Sequence, residues 1–279
     1  MKPTTLSEFR RELLATGAYA THPDHRAPNR ARPGALTTFR LAWNVSRVFP
    51  MCALYEPLGY LTTDSWAKLC FSSVTGAEAL GMNVILEGWR NRLDWQGPVV
   101  YVCNHMSTYE TIMLPSVVLT FGPFSIVAKN SLGHLPFLAK AADHMRMVTV
   151  GRKSPREDLL HILGVGCERL AGGESFLIFP QGTRQEVFSS ARFSSIGAKL
   201  AERAGCPVCP IAVDTRALPT RKSGLLAKVF KDFGPVDTSL DIRCCCGPLI
   251  REPKARAMHS ASFDWIASKL ESWGLPVER

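Results

Sequence analysis

The sequence lacks the segments that would carry a chain across a membrane. No window of it reaches 18 uncharged apolar residues, so a transmembrane helix is not expected. Residues 1–20 contain Glu8, Arg10, Arg11 and Glu12 and have no long apolar core, so they are not predicted to act as a secretory signal peptide.

A disulfide framework and a metal site are not expected either. The nine cysteines are an odd number and are scattered through apolar segments, as at Cys70 and Cys103, which predicts reduced thiols in a cytoplasmic protein. Cys206 and Cys209 have the two-residue spacing of a zinc-binding pair, but the run at 244–246 supplies no second pair at similar spacing. We therefore expect small buried thiols and no metal.

Acidic residues are fewer than basic ones. The 33 Lys and Arg against 24 Asp and Glu give a net charge of +9. This charge implies an anionic partner, and phospholipid head groups, acyl-CoA phosphates and acidic acyl carrier protein all qualify. No segment interleaves basic and aromatic residues as nucleic-acid surfaces do, so nucleic acid is not a predicted partner.

Short apolar runs alternate with longer helical windows from Met82 onwards, in a chain of 279 residues with 46% hydrophobic content. This alternation predicts an α/β fold with a mostly parallel central sheet flanked by helices, in one domain over residues 81–279. In such folds ligands bind beyond the carboxyl ends of the strands. The predicted strands are Val84–Glu87, Val99–Cys103, Ser125–Ala128, Met147–Val150, Ser175–Phe179, Val208–Val213, Lys228–Phe233 and Leu240–Cys246. The predicted helices are Ser107–Leu119, Leu135–His144, Pro155–Leu170, Ser194–Ala204 and Lys254–Ser272.

Residues 1–80 are predicted to form a separate N-terminal region. Residues 21–34 are rich in His, Pro, Asn and Arg, which indicates an irregular arm, and residues 36–80 have a mostly helical pattern interrupted near Pro50 and Pro57. Aromatic and aliphatic side chains alternate there with Arg, which suits a helix lying in a membrane interface. An amphipathic helix packed on the protein's own core fits the same pattern. We expect a helical, membrane-interfacial appendage.

A histidine and a carboxylate follow one of the predicted strands. The apolar run Val99–Cys103 leads into Asn104 and His105, and Glu110 follows five positions after His105. A carboxylate about one helical turn from a histidine can hold one ring nitrogen, so that the other faces a substrate as a general base. Taken by itself, a histidine with a carboxylate at this spacing is more often a loop histidine whose hydrogen bonds are satisfied. The interpretation of His105 and Glu110 therefore depends on the rest of the chain.

A second strand runs into a turn that ends in a cation. The run Phe176–Phe179 is followed by Pro180-Gln181-Gly182-Thr183 and then by Arg184. Backbone amides beside a glycine, together with a guanidinium, form a cradle suited to an anion. One strand end thus offers a base and another offers an anion site.

These two stretches, with two others, resemble the motif blocks of the glycerolipid acyltransferase family, whose best-known members are 1-acylglycerol-3-phosphate O-acyltransferases. In order, the four matching stretches are Asn104-His105 with Glu110, Gly151-Arg152, Phe179–Arg184 and Val208–Ile211. The resemblance covers residues 84–250. Two positions depart from the family pattern, because Glu110 stands where the family usually has Asp and Gln181 stands where it usually has Glu.

The resemblance implies an enzyme that moves a fatty acyl group from a thioester to the hydroxyl of a lysophospholipid, most simply 1-acylglycerol-3-phosphate. His105 would be the general base, and Glu110 would orient its ring. The substrate-binding residues it implies are Arg184, Gly182, Thr183, Arg152, Gln181 and Asn104. Lys129, which lies at the end of its own predicted strand, is a further candidate. The co-substrate would be acyl-CoA or acyl carrier protein, no other cofactor is implied, and the location would be the cytoplasmic face of the inner membrane.

Alternatives stay open at this point. Glu110 and Gln181 are consistent with a different lysolipid acceptor, and a relative that binds lipid or acyl carrier protein without turnover would retain the same pattern. Asn104 is as well suited to fixing its loop as to donating toward a developing oxyanion.

Overall fold

The computed structural model describes residues 3–129, 139–151, 154–219 and 234–279. Its strands are β1 Tyr19–Ala20, β2 Val84–Glu87, β3 Val100–Cys103, β4 Phe124–Lys129, β5 Met147–Val150, β6 Ser175–Ile178, β7 Phe188–Ser189, β8 Val208–Asp214, β9 Ile242–Cys246 and β10 Val277–Glu278. Its α-helices are α1 Leu6–Thr16, α2 Ala35–Ser46, α3 Val48–Tyr55, α4 Thr63–Glu78, α5 Arg90–Leu93, α6 Tyr109–Val118, α7 Ala139–His144, α8 Pro155–Ala171, α9 Ile196–Ala204 and α10 Ala255–Ser272.

Eight strands form one sheet in the order β1-β2-β9-β8-β3-β6-β4-β5. The pairs β2–β9, β8–β3, β3–β6, β6–β4 and β4–β5 are parallel, whereas β1–β2 and β8–β9 are antiparallel. The prediction of an α/β fold with a mostly parallel sheet is therefore confirmed. A second, two-stranded sheet pairs β10 with β7 in parallel.

Most predicted elements fall where the sequence pattern placed them. The strands at 84–87 and 147–150 match residue for residue, and the others that are described differ by at most two residues at an end. The predicted strand at 228–233 and the first four residues of the predicted helix at 135–144 lie outside the described residues. The helical break expected near Pro50 falls at Arg47, because Pro50 is in the first turn of α3, where proline is tolerated.

The central strand β3 separates two apolar layers. Side chains alternate across a strand, so Tyr101 and Cys103 point to the layer that contains α4 and α6, while Val100 and Val102 point to the layer that contains α8, α9 and α10. Every residue of β3, β6 and β8 is buried. Strands covered on both faces read as continuous apolar runs, which is why the sequence marks them so clearly.

Residues 1–80 share the core of the sheet. β1 pairs with β2, α4 packs along α6, and Phe9 and Leu13 of α1 are fully buried. Helix α1 begins with a capping box between Thr5 and Glu8 and ends at Gly17, which has φ +70° and lies so close to the backbone of Arg90 that a Cβ would be 2.4 Å from its nitrogen. A domain boundary at residue 80 stays a prediction.

The cysteines are packed as apolar side chains. All nine are free thiols, and eight of them are buried. Burial raises the pKa of the Cys206 thiol to about 11, so it is not poised as a nucleophile.

Candidate active site

The end of β3 is fastened to the end of β8 by Asn104. Its side-chain amide donates to the carbonyl oxygen of Val213 at 2.9 Å, and its side-chain oxygen accepts from the Val213 N–H at 2.8 Å. Because both polar atoms of this buried side chain bind backbone, the contact favours the loop-fixing role of Asn104 over an oxyanion contact. The backbone that carries His105 is thereby held in place.

His105 and Glu110 lie in direct contact. His105 Nδ1 is 2.8 Å from Glu110 Oε1, with the histidine side chain 16% exposed and the carboxylate fully buried. An ionised carboxylate can only accept a hydrogen bond, so Nδ1 carries the hydrogen and Nε2 is left with a lone pair. The imidazole also lies 4.6 Å from the ring of Phe179, measured between centroids. This is the arrangement expected of a base and its orienting carboxylate.

Four further hydrogen bonds hold the carboxylate of Glu110. Its Oε1 also accepts the N–H groups of Met106 and Ser107, both at 2.7 Å, and its Oε2 accepts the hydroxyls of Ser107 at 2.7 Å and Thr215 at 2.8 Å. Burial alone would raise the pKa of this carboxyl, but the hydrogen bonds from His105 and Ser107 together lower it below its ordinary value. The carboxylate also lies in the first turn of α6, where the helix dipole favours negative charge.

The third motif block is joined to the first. The N–H of Gln185 donates to the carbonyl of His105 at 2.8 Å, and Arg184 Nη1 donates to Thr108 Oγ1 at 2.8 Å. Thr108 directly precedes α6, so the Arg184 guanidinium lies beside the positive end of that helix. A guanidinium at a helix N-terminus is suited to an anion such as a phosphate.

Gly182 and Gln181 have roles in the turn. Gly182 has φ +68°, and no atom lies within 4 Å of the position a Cβ would occupy, so the turn requires glycine for its backbone angle and not for space. The side-chain oxygen of Gln181 accepts the His105 N–H at 2.7 Å. A glutamate could accept the same bond, so replacement by Gln keeps this contact and removes only a charge.

The other predicted site residues are less central. Thr183 is exposed and accepts from the side-chain amide of Gln185 at 2.8 Å. Arg152 and the side chain of Lys129 lie outside the described residues. Within the residues that are described, no group of three or more His, Cys, Asp or Glu is placed to hold a metal.

Sequence analysis missed the residues that hold Glu110 and Arg184. Ser107 and Glu110 have the Ser-x-x-Glu spacing of a helix capping box, which is a signal that could have been used. Thr215 gives no such signal, because it lies 105 positions from Glu110 and reaches it only through the pairing of β8 with β3.

Comparisons with known proteins find acyltransferases. Residues 78–214 match the family model named Acyltransferase. A 1-acyl-sn-glycerol-3-phosphate acyltransferase of Pseudomonas aeruginosa is 38% identical over 115 residues, which cover 41% of this chain and 44% of the relative. The chloroplastic 1-acyl-sn-glycerol-3-phosphate acyltransferase LPAT1 of Arabidopsis thaliana is 29% identical over 179 residues, which cover 63% of this chain and 48% of the relative. The chain thus spans about half the length of these two curated relatives.

The fold is also similar to a solved structure. The 1-acyl-sn-glycerophosphate acyltransferase PlsC from Thermotoga maritima aligns with a TM-score of 0.58 at 16% identity, over 85% of this chain and 98% of that chain. The resemblance drawn from the motif blocks is confirmed by the family model and the relatives. Residues 78–214 thus carry an acyltransferase domain, and the chain is similar to the glycerolipid acyltransferases.

Proposed function

We propose that the protein transfers a fatty acyl group from a thioester donor to the hydroxyl of a lysophospholipid, with 1-acylglycerol-3-phosphate as the acceptor. The observation that carries this proposal is the contact of His105 Nδ1 with the buried carboxylate of Glu110, beside Arg184 at the same edge of the sheet. The curated relatives are named for this acceptor.

The geometry supports direct transfer without an acyl-enzyme. Nε2 of His105 takes the proton of the acceptor hydroxyl as its oxygen attacks the thioester carbonyl, and Glu110 stabilises the imidazolium that forms. The tetrahedral intermediate then collapses, the carbon–sulfur bond breaks, and the thiolate leaves with the proton returned by His105. Arg184 and the N-terminus of α6 bind the acceptor phosphate, which places the hydroxyl within reach of Nε2.

The departures Glu110 and Gln181 fit the same acceptor. Five hydrogen bonds satisfy the longer carboxylate of Glu110, and Gln181 supports the backbone of His105. A non-catalytic relative would need the backbone and hydroxyl contacts of Glu110 but not its contact with the ring of His105. The donor in this proposal is acyl-CoA or acyl carrier protein, and Arg152 and Lys129 are proposed contacts for the substrate or for CoA.

The acceptor reaches the site from a membrane surface in this proposal. Within the described residues no helix is both long and apolar enough to span a bilayer. Six large apolar side chains between residues 36 and 60 are nevertheless more than half exposed, which suits contact with lipid. We call them the apolar surface: Leu36, Phe39, Trp43, Leu54, Leu58 and Tyr60.

The N-terminal end of this surface lies near the site. Thr38 accepts a hydrogen bond from the N–H of Val236 at 3.0 Å, and the N–H of Asp237 donates to the carbonyl of Ala217, two residues beyond Thr215. We place the protein peripherally at the cytoplasmic face of the inner membrane.

The test is transfer of a labelled acyl group to 1-acylglycerol-3-phosphate in detergent micelles, with acyl-CoA and acyl carrier protein as alternative donors. Wild type should turn over, and His105→Ala should lose activity by roughly a hundredfold to ten-thousandfold. His161→Ala, which changes an exposed histidine on α8, should match wild type. Arg184→Lys should raise KM for the phosphate-bearing acceptor. Activity retained in His105→Ala would refute the mechanism, and wild-type activity confined to acceptors without a phosphate would refute the acceptor.

A further inference from the structure

A groove of about 1060 Å³ lies between α1, α3 and α4. None of the residues that line it belongs to β3, β6 or β8 or to the turns that follow them, so it is separate from the site described above. Apolar and aromatic side chains line it, together with hydroxyl groups from α1 and α4. Met51 and Tyr55 come from α3, and Ser7 and Thr75 come from α1 and α4.

The groove carries an excess of positive charge. Arg10, Arg47 and Lys68 line it, against the single carboxylate of Asp64. Arg10 Nη1 binds Asp64 Oδ1 at 2.6 Å, whereas the side chains of Arg47 and Lys68 make no hydrogen bond or ion pair with any described residue. The Nε atoms of Arg10 and Arg47 are both buried and find no partner in the described part of the chain. Buried donors on cations are costly to leave unpaired, so this groove fits an anion.

The groove also opens onto the apolar surface. Leu58 and Tyr60 line it and are 56% and 65% exposed, and they belong to the surface proposed to meet the membrane. An occupant must therefore combine a negative charge with an apolar chain. We propose that this groove binds an anionic phospholipid of the membrane, with its phosphate at Arg47, Lys68 and Arg10 and the first part of its acyl chain along Met51 and Tyr55. The inference rests on the membrane contact of the proposed function and is independent of the acyl transfer.

The experiment measures binding of the full chain to vesicles of phosphatidylcholine alone and of phosphatidylcholine mixed with phosphatidylglycerol, at constant ionic strength. Arg47→Gln is compared with Arg203→Gln, which removes the same charge from an exposed position on α9, on the other side of the sheet. Loss of a charge that acts only at a distance lowers affinity for anionic vesicles about fivefold. Arg47→Gln should lose about tenfold or more, because it also removes hydrogen bonds to the phosphate.

The outcomes separate this inference from the proposed function. If the preference for anionic vesicles falls equally in Arg47→Gln and Arg203→Gln, the groove is not the binding site. General electrostatic attraction would then explain the preference. Binding to neutral vesicles with no gain from phosphatidylglycerol would overturn the groove and leave the membrane contact standing. Binding to neither vesicle would refute both, while acyl transfer in micelles would be unaffected.

A second measurement guards against a variant that fails to fold. A short-chain phosphatidylglycerol, used below its micelle concentration, should raise the Tm of wild type and not that of Lys68→Gln, which changes an exposed side chain. Inorganic phosphate should have a much smaller effect, because it cannot use the apolar part of the groove. Equal shifts in wild type and Lys68→Gln, or an equal effect of inorganic phosphate, would contradict the proposed ligand.

Discussion

Thr215 gives the sharpest test of how the pair of His105 and Glu110 is held in place. Its hydroxyl is fully buried, donates to Glu110 Oε2 at 2.8 Å and lies 3.1 Å from the hydroxyl of Ser107. Thr215→Val keeps the shape of the side chain and removes this donor. A hydrogen bond to a charged group contributes about 1.5–3 kcal/mol. Since Ser107 still binds Oε2, we expect the lower limit, which corresponds to about a tenfold loss in kcat.

The pH dependence of stability should also change in Thr215→Val. The pKa of Glu110 is below its ordinary value of 4.5, so its contribution to the free energy of unfolding is complete above about pH 4.5 and is lost as the pH falls through the folded-state pKa. Removing a donor to the ionised form raises that pKa. Acid unfolding of Thr215→Val should therefore begin at higher pH than that of wild type.

The assay is kcat and KM for acyl transfer in micelles across pH, with denaturant unfolding of the same samples. Thr215→Ser restores the hydroxyl and should recover most of kcat. Ser262→Ala, which removes a buried hydroxyl on the other side of the sheet, should leave kcat unchanged. The reasoning fails if Thr215→Val lowers only the free energy of unfolding, or if Thr215→Ser is as impaired as Thr215→Val.

Three further predictions follow from the same contacts. Glu110→Asp shortens the arm by one methylene and should lose contact with Thr215, so adding Thr215→Val to it should cost nothing further in kcat; additive losses would contradict this. Gln181→Ala leaves the His105 N–H without its acceptor and should lower the free energy of unfolding by about 1–3 kcal/mol, whereas Gln181→Glu should be tolerated, as denaturant titration would show. Burial raises the pKa of Glu78 despite hydrogen bonds from Tyr19 and Thr21, so stability should fall as pH rises above about 4.5, and Glu78→Gln should flatten that dependence; an unchanged slope would refute it.

The sequence predicts the central strands and the two strand-end motifs well, for a physical reason. Strands buried on both faces must be apolar throughout, and parallel strands bring their polar ends to one edge of the sheet. From sequence alone, these two rules predict that His105, Glu110 and Arg184 lie at the same edge of the sheet.

Other features could not be predicted from local patterns. β1, β7 and β10 are two residues long and have no alternation to detect. Sequence analysis singled out Gln181 because it replaces the usual Glu and lacks its charge. Its role in the structure is a hydrogen bond to the backbone N–H of His105, 76 residues away. Partners so distant in sequence are set by strand order, which a single sequence does not contain.

The strand order also sends the two connections at the candidate site to opposite faces of the sheet. After β3 the chain enters α6 on one side of the sheet, and after β6 it continues through the Arg184 turn to α9 on the other side. The two connections leave neighbouring strands in opposite directions, which makes a topological switch point. The segments that follow β3 and β6 meet through the hydrogen bonds of Gln181, Arg184 and Gln185, whereas beyond these contacts each connection packs on its own layer. A change of length or bulk beyond these contacts would thus fall on one layer and leave the strands that hold His105 unaltered.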